Sequence, residues 1–155
     1  MKESELGSKV ASVLRKMGWT VFKLKGDIMQ RGLPDYVMWK DNENPILVEF
    51  KRAKTMGAAI AGLSPGQESV LVSLARSAQG AQLAWGDEDS CGLAVVTGDW
   101  KAFKEHVGQS AETMKFRTPT SSKRDTFRSL AELLDDNYKG AYIWDNGPTI
   151  QMNRE

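Results

Sequence analysis

Asp35, Glu49 and Lys51 are ionisable residues set into two apolar runs, Leu33-Pro34-Asp35-Tyr36-Val37-Met38-Trp39 and Ile46-Leu47-Val48-Glu49-Phe50-Lys51. A charge inside an apolar strand is costly unless it is paired, solvated or bound to a metal. Strand residues two apart share a face, so Glu49 and Lys51 project to one side with Leu47, and Ile46, Val48 and Phe50 to the other. Asp35 and Glu49, brought side by side from adjacent strands, would offer the hard oxygen ligands that Mg²⁺ takes while keeping several of its waters. Such a metal lowers the pKa of a bound water and offsets charge on a phosphate in flight. Lys51 can orient that water or stabilise the pentacoordinate phosphorus. The plainer reading of the same residues is a hairpin with a Glu–Lys pair on its solvated face.

The metal reading places a condition on the elements. The two runs flank Asp41-Asn42-Glu43-Asn44 and read as a hairpin of strands 34–40 and 45–52. Opposed residues share a face, so Asp35 must pair near position 49 or 51. That needs an odd number of connecting residues or a bulge rather than a plain four-residue turn. Upstream, residues 2–17 read as an amphipathic helix in which Leu6, Val10, Val13, Leu14 and Met17 recur at helical spacing, with Gly18 as its stop. Glu3 falls within that apolar stripe and Glu5 well away from it. Glu3 is therefore either a first-turn acid favourable to the helix dipole or a carboxylate aimed at a site. Trp19–Lys25 alternates as a strand, and 26–32 is a polar loop.

Downstream, the small-residue stretch 53–63 shows no clear period and reads as a mobile loop, placed to close over a ligand beside Lys51. Ser64-Pro65-Gly66-Gln67 is a helix start with a Ser cap, Pro at the first position and Gln closing a capping box. That helix should reach about Gln79 and bury Val70, Leu71, Leu74 and Ala78. Ala81–Trp85 and Cys91–Thr97 read as strands, and Asp99 as the cap of a short helix ending near Val107. Residues 108–120 read as a linker, Ser121–Tyr138 as a helix, and Gly140–Trp144 as a small strand, with a loose end. The order α-β-β-β-α-β-β-α predicts an α/β fold, a mixed sheet flanked by helices. The expected division is a domain over 1–107 and an extension over 108–155, packed on or beside it.

The chain has 155 residues, enough for one sizeable core. Its net charge is only +1, but residues 1–54 hold eleven Lys/Arg against seven Asp/Glu, a surplus that suits a phosphate-rich partner. A single cysteine, Cys91, excludes an intramolecular disulfide and predicts a core thiol in a reducing compartment. No stretch approaches the roughly 18 apolar residues of a membrane span. The N-terminus lacks a signal-peptide core, so a soluble, cytoplasmic protein is expected. Lone His106 reads as a surface or interface residue.

Three ordered motifs, Gly32-Leu33-Pro34-Asp35, Val48-Glu49-Phe50-Lys51-Arg52 and Leu63-Ser64-Pro65-Gly66-Gln67, resemble the G-x-PD, (I/V)ExK and LSxxQ signature of the VRR-NUC branch of the PD-(D/E)xK nucleases. The resemblance covers roughly residues 3–97. It implies a restriction-endonuclease-like or Holliday-junction-resolvase-like α-β-β-β-α-β core, here with a helical C-terminal extension. It also implies Mg²⁺ or Mn²⁺ on Asp35 and Glu49, helped by the Phe50 carbonyl, with Lys51 catalytic. Glu3 matches the place of a helix-1 Glu that completes the acidic site in related resolvases. Gln67 gains a site role by the same resemblance, although the capping box explains it equally well.

The activity so implied is metal-dependent hydrolysis of DNA phosphodiesters, structure-selective and endonucleolytic, in DNA repair or recombination. Lys23, Lys25, Arg31, Arg52 and Lys54 are then the expected phosphate contacts, which give affinity and register rather than sequence. A homodimer making paired incisions follows by analogy alone. Two other readings stand beside it. One is a nuclease-like module that binds branched DNA or a protein partner without cutting; the other is a restriction enzyme with base-specific loops.

Overall fold

The computed structural model describes residues 1–24, 32–109, 118–119, 122–136 and 140–145. The elements are α1 (Glu3–Lys16), β1 (Thr20–Lys23), β2 (Tyr36–Trp39), β3 (Ile46–Arg52), α2 (Met56–Ala61), α3 (Pro65–Ala75), β4 (Ala81–Gly86), β5 (Ser90–Thr97), α4 (Trp100–Gln109), β6 (Thr118–Pro119), α5 (Lys123–Asp135) and β7 (Tyr142–Asp145). β1 to β5 lie side by side in chain order. β6 and β7 both pair with β5. β1–β2, β2–β3, β4–β5 and β5–β6 are antiparallel. β3–β4 and β5–β7 are parallel, and each of these connections crosses over through helices. The chain is thus α/β, a mixed sheet with helices on both faces.

Period-two alternation divides the core in two. On one face Ile46, Val48, Phe50, Ala84, Leu93 and Val95 pack under α1 and α5, which bury Leu6, Val10, Leu14, Leu130 and Leu134. On the other face Leu83, Trp85, Ala94 and Val96 pack under α2, α3 and α4. Glu49 and Lys51 are the strand partners of Leu83 and Trp85, so they point to this second face, as alternation predicts. Gly18 ends α1 at φ +97°, and the Trp19 N–H returns to the Leu14 carbonyl at 3.0 Å. Trp19 Nε1 and Lys40 Nζ both donate to Asp135 Oδ1, at 2.8 and 3.0 Å, fastening α5 beside β1 and β2.

Two expectations need correction. Residues 53–63 contain a helix, α2, capped by the Thr55 hydroxyl accepting the Ala58 N–H at 3.1 Å. Met56, Ala59 and Ile60 are buried at i, i+3 and i+4, a helical spacing masked by the small residues around it. α3 stops at Ala75, four residues short of Gln79, and buries Leu71 and Ala75 while Ala78 is exposed. Within the C-terminal region, α5 supplies core to the α1 face, and β7 pairs with β5. The linker, apart from β6 and its first two residues, and the loose end both fall outside the described residues.

Candidate active site

β2 and β3 pair through Met38↔Ile46, Val37↔Leu47 and Tyr36↔Val48, so seven residues connect the first pair, an odd number. Asn42, midway, takes φ +63°, which an Asn tolerates in a turn. Continuing this register by one step sets Asp35 opposite Glu49 on the same face, the condition the metal reading imposed. The ladder itself ends at Tyr36. Asp35 keeps its backbone with β1, accepting the Leu24 N–H at 2.8 Å, while its Oδ2 accepts the Phe50 N–H of β3 at 3.0 Å. β2 and β3 thus splay apart at Asp35, and a carboxylate takes the place of the missing strand backbone.

Glu49 and Lys51 are 1 % and 8 % exposed, at the second face beside α3. Gln67 Nε2 donates to Glu49 Oε2 at 3.3 Å. Its Oε1 simultaneously accepts the Ser64 N–H at 2.9 Å, closing the capping box. The two explanations of Gln67 are therefore both realised, one by each end of the amide. Glu3 reaches in from α1: its Oε2 accepts the Arg52 N–H at 3.3 Å and its Oε1 pairs with Lys51 Nζ at 3.5 Å. A recess of about 160 Å³ lies beside these groups, lined by Glu3, Ser4, Gly7, Lys23, Asp35 and Tyr36.

The electrostatics follow from burial. Desolvation pushes the Glu49 carboxyl up to about 9, reinforced by the charge of Asp35 and by the hydrogen bond between the two carboxyls, and opposed by Lys51. Desolvation also raises Asp35, against the lowering effect of the Phe50 N–H. Both carboxyls are thus biased toward their protonated forms when no cation is bound. Ionising the buried Glu49 beside the half-buried Asp35 is disfavoured, and Lys51 offsets only part of that cost.

Asp35 and Glu49 are the residues here that could hold a divalent cation. Mg²⁺ is held by one or two carboxylates and keeps its remaining waters, so Asp35, Glu49 and a backbone carbonyl suffice. Among the described residues no three His, Cys, Asp or Glu side chains converge into a metal-holding group. Glu3 in particular is turned to Lys51 and the Arg52 N–H rather than to the pair. Of the expected phosphate contacts, Lys23 lines the recess, and Arg52 and Lys54 are exposed at and just beyond the end of β3. Lys25 and Arg31 lie outside the described residues. His106 stacks on Trp144, with ring centroids 4.8 Å apart, in the layer of α4 and β7.

Two glycines, Gly7, which sequence reasoning did not single out, and Gly32 of the Gly32–Asp35 motif, help assemble the site. A Cβ at Gly7 would stand 2.8 Å from the Tyr36 ring, which packs edge-on against Phe50, so Gly7 lets the first turn of α1 reach β3. A glycine inside a helix costs about 1 kcal/mol and is the available signal for close packing. Gly32 has φ +95°, and a Cβ there would collide with the Gly66 carbonyl at the start of α3. The segment carrying Asp35 is thereby docked on the segment carrying Gln67. No protein-family model, curated protein or solved structure matches the chain.

Proposed function

We propose that this chain is a metal-dependent DNA nuclease of the PD-(D/E)xK type, VRR-NUC branch, acting as a structure-selective endonuclease. The observation that carries the reading is the pairing of half-buried Asp35 with buried Glu49, whose carboxyls are both raised by desolvation, flanked by Lys51 and Gln67. Asp35, Glu49 and the Phe50 carbonyl would hold Mg²⁺ or Mn²⁺, with Glu3 nearby as an outer or second-ion ligand. Bound there, the ion would acidify water and offset negative charge on the scissile phosphate.

The chain's own groups do the rest. Lys51, held by Glu3, presents an ammonium on the Glu49 face to the phosphate oxygens, where negative charge builds as water adds to phosphorus and the sugar oxygen leaves. Gln67 fixes one Glu49 oxygen, so that the other is free to face the ion. Burial of Glu49 keeps bulk water from screening these interactions. Lys23 at the end of β1, Arg52 at the end of β3 and Lys54 just beyond it supply phosphate contacts.

The test is a panel of end-labelled flap, junction, nicked and linear DNAs incubated with Mg²⁺, Mn²⁺ or EDTA. The reading expects cleavage with either metal, strongest on a branched substrate, and none in EDTA. Absence of cleavage on every substrate with both metals would contradict it, as would cleavage that survives EDTA.

A further inference from the structure

Along a strand, the N–H and C=O of one residue address one edge, and those of the next residue the other. In β3 the Ala53 N–H donates toward β4, to the Gly86 carbonyl at 3.1 Å. The Phe50 and Arg52 N–H groups donate the opposite way, to Asp35 Oδ2 and Glu3 Oε2. Val48, Phe50 and Arg52 therefore turn their backbone groups to the edge where β2 lies. Tyr36↔Val48 is the last pair of that ladder, and the next pair of the same kind would set position 34 against Phe50.

Position 34 is proline, which has no N–H to give. A residue of any other type there could extend the ladder by donating to the Phe50 carbonyl, closing the splay between β2 and β3. The Phe50 N–H, which would have donated to the carbonyl of position 34, is held by the Asp35 side chain instead. The Phe50 carbonyl thus faces the notch between Asp35 and Glu3, and among the described residues no β2 N–H stands opposite it. A backbone carbonyl is a hard oxygen ligand only while its lone pairs are uncommitted.

We infer that Pro34 is a positioning residue: lacking an N–H, it offers the Phe50 carbonyl no ladder donor and leaves it available to a divalent cation beside Asp35 and Glu49. The inference rests on the metal-site reading of the preceding section. It assigns the proline a role through a missing donor, distinct from the stiffness of its ring.

The test uses the full chain, labelled with ¹⁵N and ¹³C, as wild type, P34A and P34V. Valine suits extended backbone and serves if the alanine variant folds poorly. Metal-free, the new N–H at position 34 should resist hydrogen exchange and show a through-bond coupling to the Phe50 carbonyl carbon. Mn²⁺ affinity, read by electron paramagnetic resonance, should fall about tenfold, the scale of lost support around a metal ligand. Loss of proline's ring stiffness alone would not produce the coupling. A freely exchanging N–H at position 34, or Mn²⁺ affinity within twofold of wild type in the folded variants, overturns the inference. If the wild type itself binds no Mn²⁺, the metal-site reading has failed and takes this inference with it.

Discussion

Gln67 Nε2 donates to Glu49 Oε2 at 3.3 Å while the other end of the same amide caps α3 at Ser64. Helix nucleation and site geometry therefore run through one side chain, and they can be separated by mutation. Ser64→Ala removes the cap acceptor and should cost about 1 kcal/mol of stability. Cleavage should change little, because Gln67 still reaches Glu49. Gln67→Ala should lose a similar amount of stability and lower the cleavage rate roughly 10- to 100-fold, the scale for an outer support of a metal ligand. Denaturant midpoints and single-turnover cleavage rates on the two variants distinguish the effects. Equal rate losses would show that Gln67 acts only through the helix.

Metal-free stability should fall as pH rises. The Glu49 carboxyl, raised by burial from its ordinary 4.5 to about 9, binds a proton more tightly in the folded state than in the unfolded chain. The stabilisation is fully present below about pH 4.5, declines above it and is gone once the pH passes about 9. Asp35, also raised, adds in the same direction. Glu49→Gln keeps a neutral side chain throughout, so its melting temperature should vary less with pH and exceed wild type near pH 8 in EDTA. Mg²⁺ should then stabilise the wild type and leave the variant unmoved. Thermal melts from pH 5 to 9, with and without Mg²⁺, check both statements.

Gly32→Ala tests the docking of the Asp35 segment. Its φ of +95° disfavours a side chain, and the added methyl meets the Gly66 carbonyl. A loss of about 2 kcal/mol is expected from the strained backbone. Cleavage should fall more than the stability loss explains, because the shift moves Asp35 relative to Gln67. Rates measured well below the variant's melting temperature reveal the difference.

Lys51→Met removes the ammonium but keeps the length of the buried stem. Among the described residues its ion pair is the long, half-exposed one to Glu3, so stability should change by less than about 1 kcal/mol. Cleavage should drop roughly 100- to 1,000-fold, with Mn²⁺ binding retained. Calorimetric Mn²⁺ titration beside rate measurements separates binding from chemistry.

Much of this site was legible in the residues because its parts are local. Alternation along Ile46–Lys51 placed Glu49 and Lys51 on one face, and Ser64–Gln67 announced a helix start. The register condition on Asp35 followed from the period of a strand alone. What stayed hidden is tertiary. α2 escaped because Met56, Ala59 and Ile60 are spaced helically among small residues that carry no contrast. α5 read as an extension because nothing local shows that Leu130 and Leu134 cover the same sheet face as Leu6 and Leu14. The inward reach of Glu3 was visible as an angle on α1, but its engagement with Lys51 and the Arg52 N–H depends on the close approach that Gly7 permits.

The central claim is that Asp35 and Glu49 form a metal-dependent phosphodiesterase centre. Cleavage of a labelled branched DNA in Mg²⁺ by wild type, Asp35→Asn and Glu49→Gln, each shown to be folded by its melt in EDTA, tests it most directly. The account predicts cleavage by the wild type alone, with both variants as stable as wild type or more so without metal. Undiminished cleavage by either variant would contradict it.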